Sequence, residues 1–436
     1  MRRRQLMQLL AGSSATALLA ACGERRRAVA PRELQFWTLD LAPKFNGYIA
    51  DVIGAWERQQ PGVRVRWTDV PWSSVERKLL AAVYARSAPD LVNLNPPFAA
   101  NLASKGGLLD LAPVLPAGAA ATYLPPIWQA GQQGGEQFAI PWYLTARITM
   151  ANRQLLERAG YAAPPRHWQE LPAYAEAVRR RTGRYALFMT VVPDDSAELL
   201  ETLVQMGVQL LDDSRRAAFN SPAGRAAFAY WSDLYRHGLL PREVVSQGYR
   251  RAIELYQAGE LAQVATGPDF LGNLQTNAPG VAAHTAPFPP ITGARDEANV
   301  AVMNLVVPRQ SALPAEAVSF GLHLTSAASQ LRFAEQARVL PSAVAALGEL
   351  ERGLESGGDT SVAQGTSSPL VAQARLLSVR TLERARVLVP AMPGVKRLQA
   401  MIYTQLQRAM LGEMSSKAAL AKAEQDWNLY ATARWP

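Results

Sequence analysis

"PGVRVRWTDVPWSSVERKLLAAVYARSAPDLVNLN", residues 61–95, reads as strand, helix, strand. Val63, Val65 and Trp67 alternate with Arg64, Arg66 and Thr68, the period of a strand with one buried face. From about Ser73 to Ser87, Val75, Leu79 and Val83 recur every four residues and form the apolar stripe of a helix. "DLVNLN" then supplies a short apolar strand. Upstream, "LQFWTL" from Leu34 is a strand. Ile49, Val52, Ile53 and Trp56 fall on one face of a helix that Pro61-Gly62 stops. This alternation predicts an α/β fold with a mainly parallel sheet and helices on both faces. Ligands of such sheets lie beyond the carboxyl ends of the strands. Residues 38–40, 69–72 and 93–98 are therefore the first places to look for a site.

The middle of the chain repeats the mixture. In "WQELPAYAEAVRRRTG", Leu171, Ala175 and Val178 share a helical face, arginines fill the last turn, and Gly183 ends it. "YALFMTVV", residues 185–192, reads as a buried strand. An acid-poor helical stretch is expected from Ser196, another from Pro222 to Gly238, and a helical tail from Gly394. Residues 355–368 have the Gly, Ser and Thr content of a flexible surface segment. With 436 residues, 49% of them apolar, the chain is long enough for two lobes, each with its own core.

The amino terminus reads as an address. Arg2, Arg3 and Arg4 precede Leu6, Met7, Leu9 and Leu10, and small residues follow to Ala17. This is the order of a secretory signal. Gln5, Gln8, Gly12, Ser13, Ser14 and Thr16 break the run short of the roughly 20 apolar residues a spanning helix needs. Leu19-Ala20-Ala21-Cys22 contains the chain's single cysteine, which has no partner for a disulfide. The four residues resemble the bacterial lipobox, whose cysteine takes a diacylglyceryl group; the alternative is an ordinary signal with an incidental cysteine. Residues 3–8, RRQLMQ, look like a twin-arginine export motif, though basic residues occur in any signal. The expectation is a signal peptide over 1–21, lipidation at Cys22 and a tether over 22–33. The mature protein would be exported and anchored, facing the periplasm or cell exterior.

Removing residues 1–21 takes away three arginines and lowers the formal charge from +9 to +6. The remaining basic residues are dispersed, with no stacking motif or zinc spacing, so no nucleic-acid partner is expected. Arg25, Arg26 and Arg27 lie where they meet anionic head groups. His167, His237, His284 and His323 show no zinc pattern, and no nucleophile elbow, phosphate loop or dinucleotide fingerprint is present. Neither a metal nor a cofactor is expected, and no residue is assigned as catalytic.

Six fragments, in order, carry a family resemblance: residues 61–95, "GLLDLAPVL", "FAIPWYLTARITMANRQLLERAG", "WQELPAYAEAV", "LYQAGELAQVATGPDFLGNL" and "GEMSSKAALAKAEQDWN". Together they resemble the extracellular solute-binding proteins of sugar-importing ABC transporters, the group that includes maltose-binding protein. The resemblance runs from about Leu34 to the carboxyl terminus. It implies a two-lobed clamp of the type II periplasmic-binding kind, whose chain crosses the hinge three times. Matching segments place the crossings near Pro141–Ala146, Pro287–Gly293 and Gln336–Leu340. One lobe is then 34–143 plus 292–337, the other 144–291 plus 338–436. The implied partners are a sugar or polyol in the cleft and the transmembrane subunits of a permease. The implied protein is a monomer that holds its guest without altering it.

A sugar site needs aromatic platforms and convergent amides or carboxylates. Trp37, Thr38, Asp69 and Trp72 lie at strand ends, although each Trp also suits a core and Asp69 can cap its turn. Trp142 and Tyr143 match the first crossing, where the family contacts ligand, and Trp142→Ala is expected to weaken binding with little effect on folding. Asn93 and Asn95 match a ligand-contacting region and also suit the turn before Pro96-Pro97. Asp194 and Asp195 match a cleft loop; as neighbours they also fit a helix cap or, less naturally, a glycosidase pair. Where the family has tryptophan, "GPDFLGNL" has Asp269 with Phe270 beside it, so either Phe270 is the platform or the ligand is smaller or more polar than a long maltodextrin. Asn304 and Arg338 complete the set, Arg338 as a candidate for an anionic group. The rivals are the same fold binding glycerol-3-phosphate or another anionic polyol, and a secreted carbohydrate-active enzyme.

Overall fold

The computed structural model describes residues 31–193, 195–357, 368–389 and 392–435. The signal, Cys22 and Asp194 lie outside the described residues, as does most of the segment at 355–368. No helix among the described residues is long and apolar enough to cross a membrane.

The opening stretch folds as its periodicity requires. Strands β1 (Arg32–Leu39), β2 (Val63–Val70) and β3 (Leu91–Leu94) form the parallel part of one sheet, with β1 between the other two. The helices Asn46–Gln59 and Val75–Tyr84 connect them. A two-residue hairpin, β4 (Gln132–Gln133) and β5 (Glu136–Gln137), precedes β6 (Ile140–Ala146), which is followed at once by β7 (Ile148–Asn152). Strands β8 (Gln263–Thr266) and β9 (Thr285–Phe288) flank β7 on either side. The later strands are β10 (Ala298–Val306), β11 (Leu340–Pro341) and β12 (Ala385–Arg386).

Among the described residues the larger sheet has seven strands, ordered β11-β6-β10-β3-β1-β2 with β12 on β10; the smaller sheet is β8-β7-β9. Each carries its own core. Phe36, Trp56, Trp142 and Phe320 fill one face of the larger sheet, and Leu39, Val70, Leu79 and Leu94 the other. Ile148, Leu203, Trp231 and Trp427 belong to the core around the smaller sheet. Aromatic edges and faces meet throughout the first of these cores, as Phe36 does with Phe320 at 5.2 Å.

The two-lobed α/β arrangement is present, but strand directions are more mixed than expected. β10 is antiparallel to β3 and β6, and β7 is antiparallel to both neighbours. The cause is connectivity: the chain enters the smaller sheet directly from β6 instead of through a helical crossover. Residues 186–192 are buried as expected yet join no ladder, and only Tyr185 bridges Leu261. The helix after Ser196 is short, Glu198–Gln205, because Gly207 turns with φ 86°.

The chain passes between the sheets at Arg147, between β6 and β7, and again over 289–297, between β9 and β10. The crossing expected at Gln336–Leu340 is not there: Leu340 and Pro341 still pair with β6 in the larger sheet. The passage is made further on, by the helix Pro369–Thr381. Val371 and Ala374 on it belong to the core of the smaller sheet, whereas Val379 packs with Leu144, Val302 and Leu340.

Candidate ligand-binding site

The crossing at Arg147 and the crossing over 289–297 stand side by side, and a cavity opens against them. Thr145 and Asn299 line it from the larger sheet, Gln263 from the smaller, and Glu198 and Glu201 from the helix that starts beyond residues 186–192. About 130 Å³ is enclosed, below the roughly 300–1,000 Å³ of drug-sized ligand sites.

Arg147 Nη1 lies 3.5 Å from Glu201 Oε2 and 3.9 Å from Glu198 Oε2, so one guanidinium is shared loosely by two carboxylates. Its plane also lies over the ring of Tyr249, 5.7 Å from the centroid. Burial pushes the Glu198 carboxyl up to about 7; Arg147 opposes this, and Glu201 and Asp195 add to it. Glu201 is raised by burial too, against Arg147. Desolvation works against the Arg147 charge, but Glu201 and Glu198 outweigh it and keep the guanidinium protonated. The helix terminus helps, since Glu198 and Glu201 sit in its first turn, where the macrodipole favours negative charge.

Gln263 is 3% exposed, and its Oε1 has no hydrogen-bond donor in the protein. Two other lining residues, Trp168 and Gln205, bond within the protein. Trp168 Nε1 donates to Gln205 Oε1 at 2.7 Å, and Gln205 Nε2 donates to the Glu297 carbonyl at 2.8 Å. Tyr403 Oη donates to the Ser196 carbonyl at 2.7 Å and fixes the start of the helix. Among the described residues no group of three or more His, Cys, Asp or Glu is arranged to hold a metal ion.

None of the expected residues that the structure describes lines this cavity. They fall into pairs elsewhere. Thr38 donates to Asp69 Oδ1 at 2.6 Å and accepts from Trp67 Nε1 at 2.7 Å. Asp69 also accepts from the backbone of Leu41 and Ala42, so both carboxylate oxygens hold the loop after β1 instead of facing a guest. Trp142 is fully buried and stacks on Phe333 at 5.3 Å; it is a core residue in this structure, and the expectation that it contacts ligand fails on burial. Tyr143 is half-buried against both. Asn95 caps the helix Pro96–Ala103 by accepting from Phe98 N at 3.0 Å. Phe270, 5% exposed, meets Tyr256 edge-on in the core and offers no platform.

Four expected residues remain suited to contact. Trp72 is 42% exposed after β2, with its backbone N–H held by Asp40 Oδ2 at 2.8 Å. Trp37 is half-buried on β1. Asn93 and Asn304 are not among the four, being 0% and 2% exposed; Asn93 Nδ2 donates to the Asn304 carbonyl at 3.2 Å, and both carboxamide oxygens lack a protein donor. Asp269 is exposed at the start of the helix Phe270–Asn277, and the Arg338 guanidinium lies against Gly272 of that helix.

The residues missed were legible in part. Arg147 is a charge inside the strand run "IPWYLTARITMAN", one position past the expected crossing. Glu198 and Glu201 are spaced i, i+3 on a helix otherwise made of Leu, Thr, Val and the final Gln205, which reading the stretch as acid-poor passed over.

A family model described as bacterial extracellular solute-binding protein matches residues 40–331. Among solved structures, a protein of Synechococcus sp. MITs9220 assigned as an oligosaccharide periplasmic-binding protein is 62% identical. That match covers 92% of this chain and 100% of the other, with a TM-score of 0.86. The same protein has been solved in complex with zinc. A protein of Deinococcus radiodurans assigned as ABC transporter-binding is 26% identical over 245 residues, 54% of this chain and 58% of the relative. A lipoprotein of Streptomyces antibioticus is 28% identical over 185 residues, 42% of this chain and 41% of that one.

Proposed function

Because this chain belongs to the bacterial extracellular solute-binding proteins, we propose that it is the lipid-anchored receptor of an ABC importer. It captures an oligosaccharide or related glycoside between its lobes and hands it unaltered to the permease. The observation that carries this reading is the cavity at the paired crossings, walled by side chains from both sheets, which at about 130 Å³ in this structure has room for one end of such a guest. A guest there touches both lobes at once, so it favours the closed arrangement over the open one by its differential contacts. The assigned role of the Synechococcus relative supports the same ligand class. Cys22, in its lipobox-like setting, would supply the tether, and two or more acyl chains hold stably.

Two measurements test this. A thermal-shift screen of mono-, di- and trisaccharides, polyols and sugar phosphates should give a selective rise, because a guest that binds only the folded protein stabilises it by about 2.7 kcal/mol at a hundred times Kd. Small-angle scattering should show contraction with the same guest. Stabilisation by phosphates alone would remove the neutral-glycoside reading, and release of product from a glycoside panel would favour an enzyme. Labelling with radioactive palmitate should be lost in Cys22→Ala.

A further inference from the structure

With both carboxylates ionised, the charge at the cavity does not balance. One guanidinium, Arg147, faces two carboxylates at 3.5 and 3.9 Å, neither in a bidentate pairing. Among the described residues, the other groups that act on these three, Asp195, Tyr249 and Tyr403, do not supply a second cation. Asp195 is a further carboxylate whose Oδ2 accepts from Tyr249 N at 2.7 Å, and Tyr249 and Tyr403 are phenols held neutral by burial. Gln263, which also lines the cavity, presents a buried amide oxygen with no donor. An unmatched carboxylate in a walled site is costly, and so is a buried acceptor left unpaired. Both deficits are met by the same kind of group: a positively charged donor with more than one N–H.

Resting on the carbohydrate reading, we infer that the cavity walled by Arg147, Glu198, Glu201 and Gln263 selects a glycoside bearing an ammonium group over its neutral and anionic counterparts. The ammonium sits between the carboxylates and Gln263 Oε1, leaving Arg147 to the neighbouring hydroxyls. An anionic guest meets two carboxylates there and is excluded, which disfavours sugar phosphates and uronates as natural ligands. Without a guest, Glu198, raised by burial to about 7, holds a proton below that pH, and an ammonium guest takes that proton's place.

The test is calorimetric titration of the full chain with matched probes at pH 7.5, above the range in which Glu198 holds its proton. Glucose, cellobiose and maltotriose are compared with glucosamine, the chitosan dimer and maltotriose glycamine, and with glucuronate as the anionic probe. The expected result is that the amine of at least one pair binds ten-fold or more tightly than its neutral partner, with glucuronate weakest. Glu201→Gln and Glu198→Gln should each bring the amine-to-neutral ratio close to one; Gln preserves shape, and circular dichroism checks folding. Neutral sugars binding as tightly as their amines would overturn the inference and leave the carbohydrate reading standing. A ratio unmoved by both substitutions would overturn it as well. If no probe of either kind binds, the carbohydrate reading falls with it.

Discussion

Two tryptophans that look alike in sequence have opposite surroundings. Trp142 is enclosed by Phe36, Tyr143 and Phe333, and Trp72 stands 42% exposed on a loop. Trp142→Ala should cost about 3–5 kcal/mol of stability by leaving a cavity, read by denaturant unfolding. Trp72→Ala should change stability by less than about 0.5 kcal/mol. It should weaken sugar binding roughly ten-fold, as expected for a lost stacking face of about 1.4 kcal/mol. Glu198 gives a pH signature. Its carboxyl is raised in the folded protein to about 7 from 4.5, so between those values the folded state holds a proton that the unfolded chain has released. Stability from this group is therefore lost as pH rises through that window, and the loss is complete above about 7. Glu198→Gln should gain stability relative to the parent between pH 5 and 8, on the order of 1–3 kcal/mol. Melting curves across that range would show it; parallel curves would refute it. At this scale the sequence was least informative. Alternation places Trp67 and Trp37 on a strand, but it does not say that β6 turns Trp142 into the core or that Asp69 is consumed by its own loop.

Elements were more legible, because their boundaries are written in periodicity and stop signals. β2 and the helix beside it lie within two residues of expectation, since alternation and the Pro61-Gly62 stop are local signals. The smaller sheet was less readable. Residues 186–192 have a strand's composition, yet the edge they would need is governed by where β7 enters, which is a long-range matter. The tightest packing between elements is at the second crossing. A Cβ on Gly293 would lie 1.7 Å from the Gln205 carbonyl oxygen, while Thr292 is tied to Arg166 and Trp168 through its backbone. Gly293→Ala should therefore force the helix Glu198–Gln205 away from the crossing and lower the melting temperature. Because that helix carries both cavity glutamates, affinity should fall as well. An alanine variant with unchanged melting and affinity would show that the contact is not needed.

Over the whole molecule, the order of fragments carried the architecture, and the third crossing was misplaced because β11 is a two-residue strand with no sequence signature. The lobes also touch away from the crossings. Lys396 Nζ lies 2.9 Å from Glu76 Oε1 and joins the helix Val395–Met410 to the helix Val75–Tyr84. Exposed pairs of this kind contribute about 0–1 kcal/mol, and the pair exists only when the lobes are near. Lys396→Glu should weaken ligand binding by no more than about five-fold, with a larger effect at low salt, and the double exchange with Glu76→Lys should restore it. A single-variant loss that ignores salt would point to a different cause.

The helix Pro369–Thr381 has one end among the side chains of each core. Backbone hydrogen bonds make such a rod stiff, whereas the two other links are the short junction at Arg147 and the loop 289–297, which turns at Ala294-Arg295. Relative rotation of the halves must therefore pivot about a line passing close to the rod, with these links flexing around it. The gap consequently opens most on the side farthest from residues 369–381, and spin labels placed there would report the greatest travel.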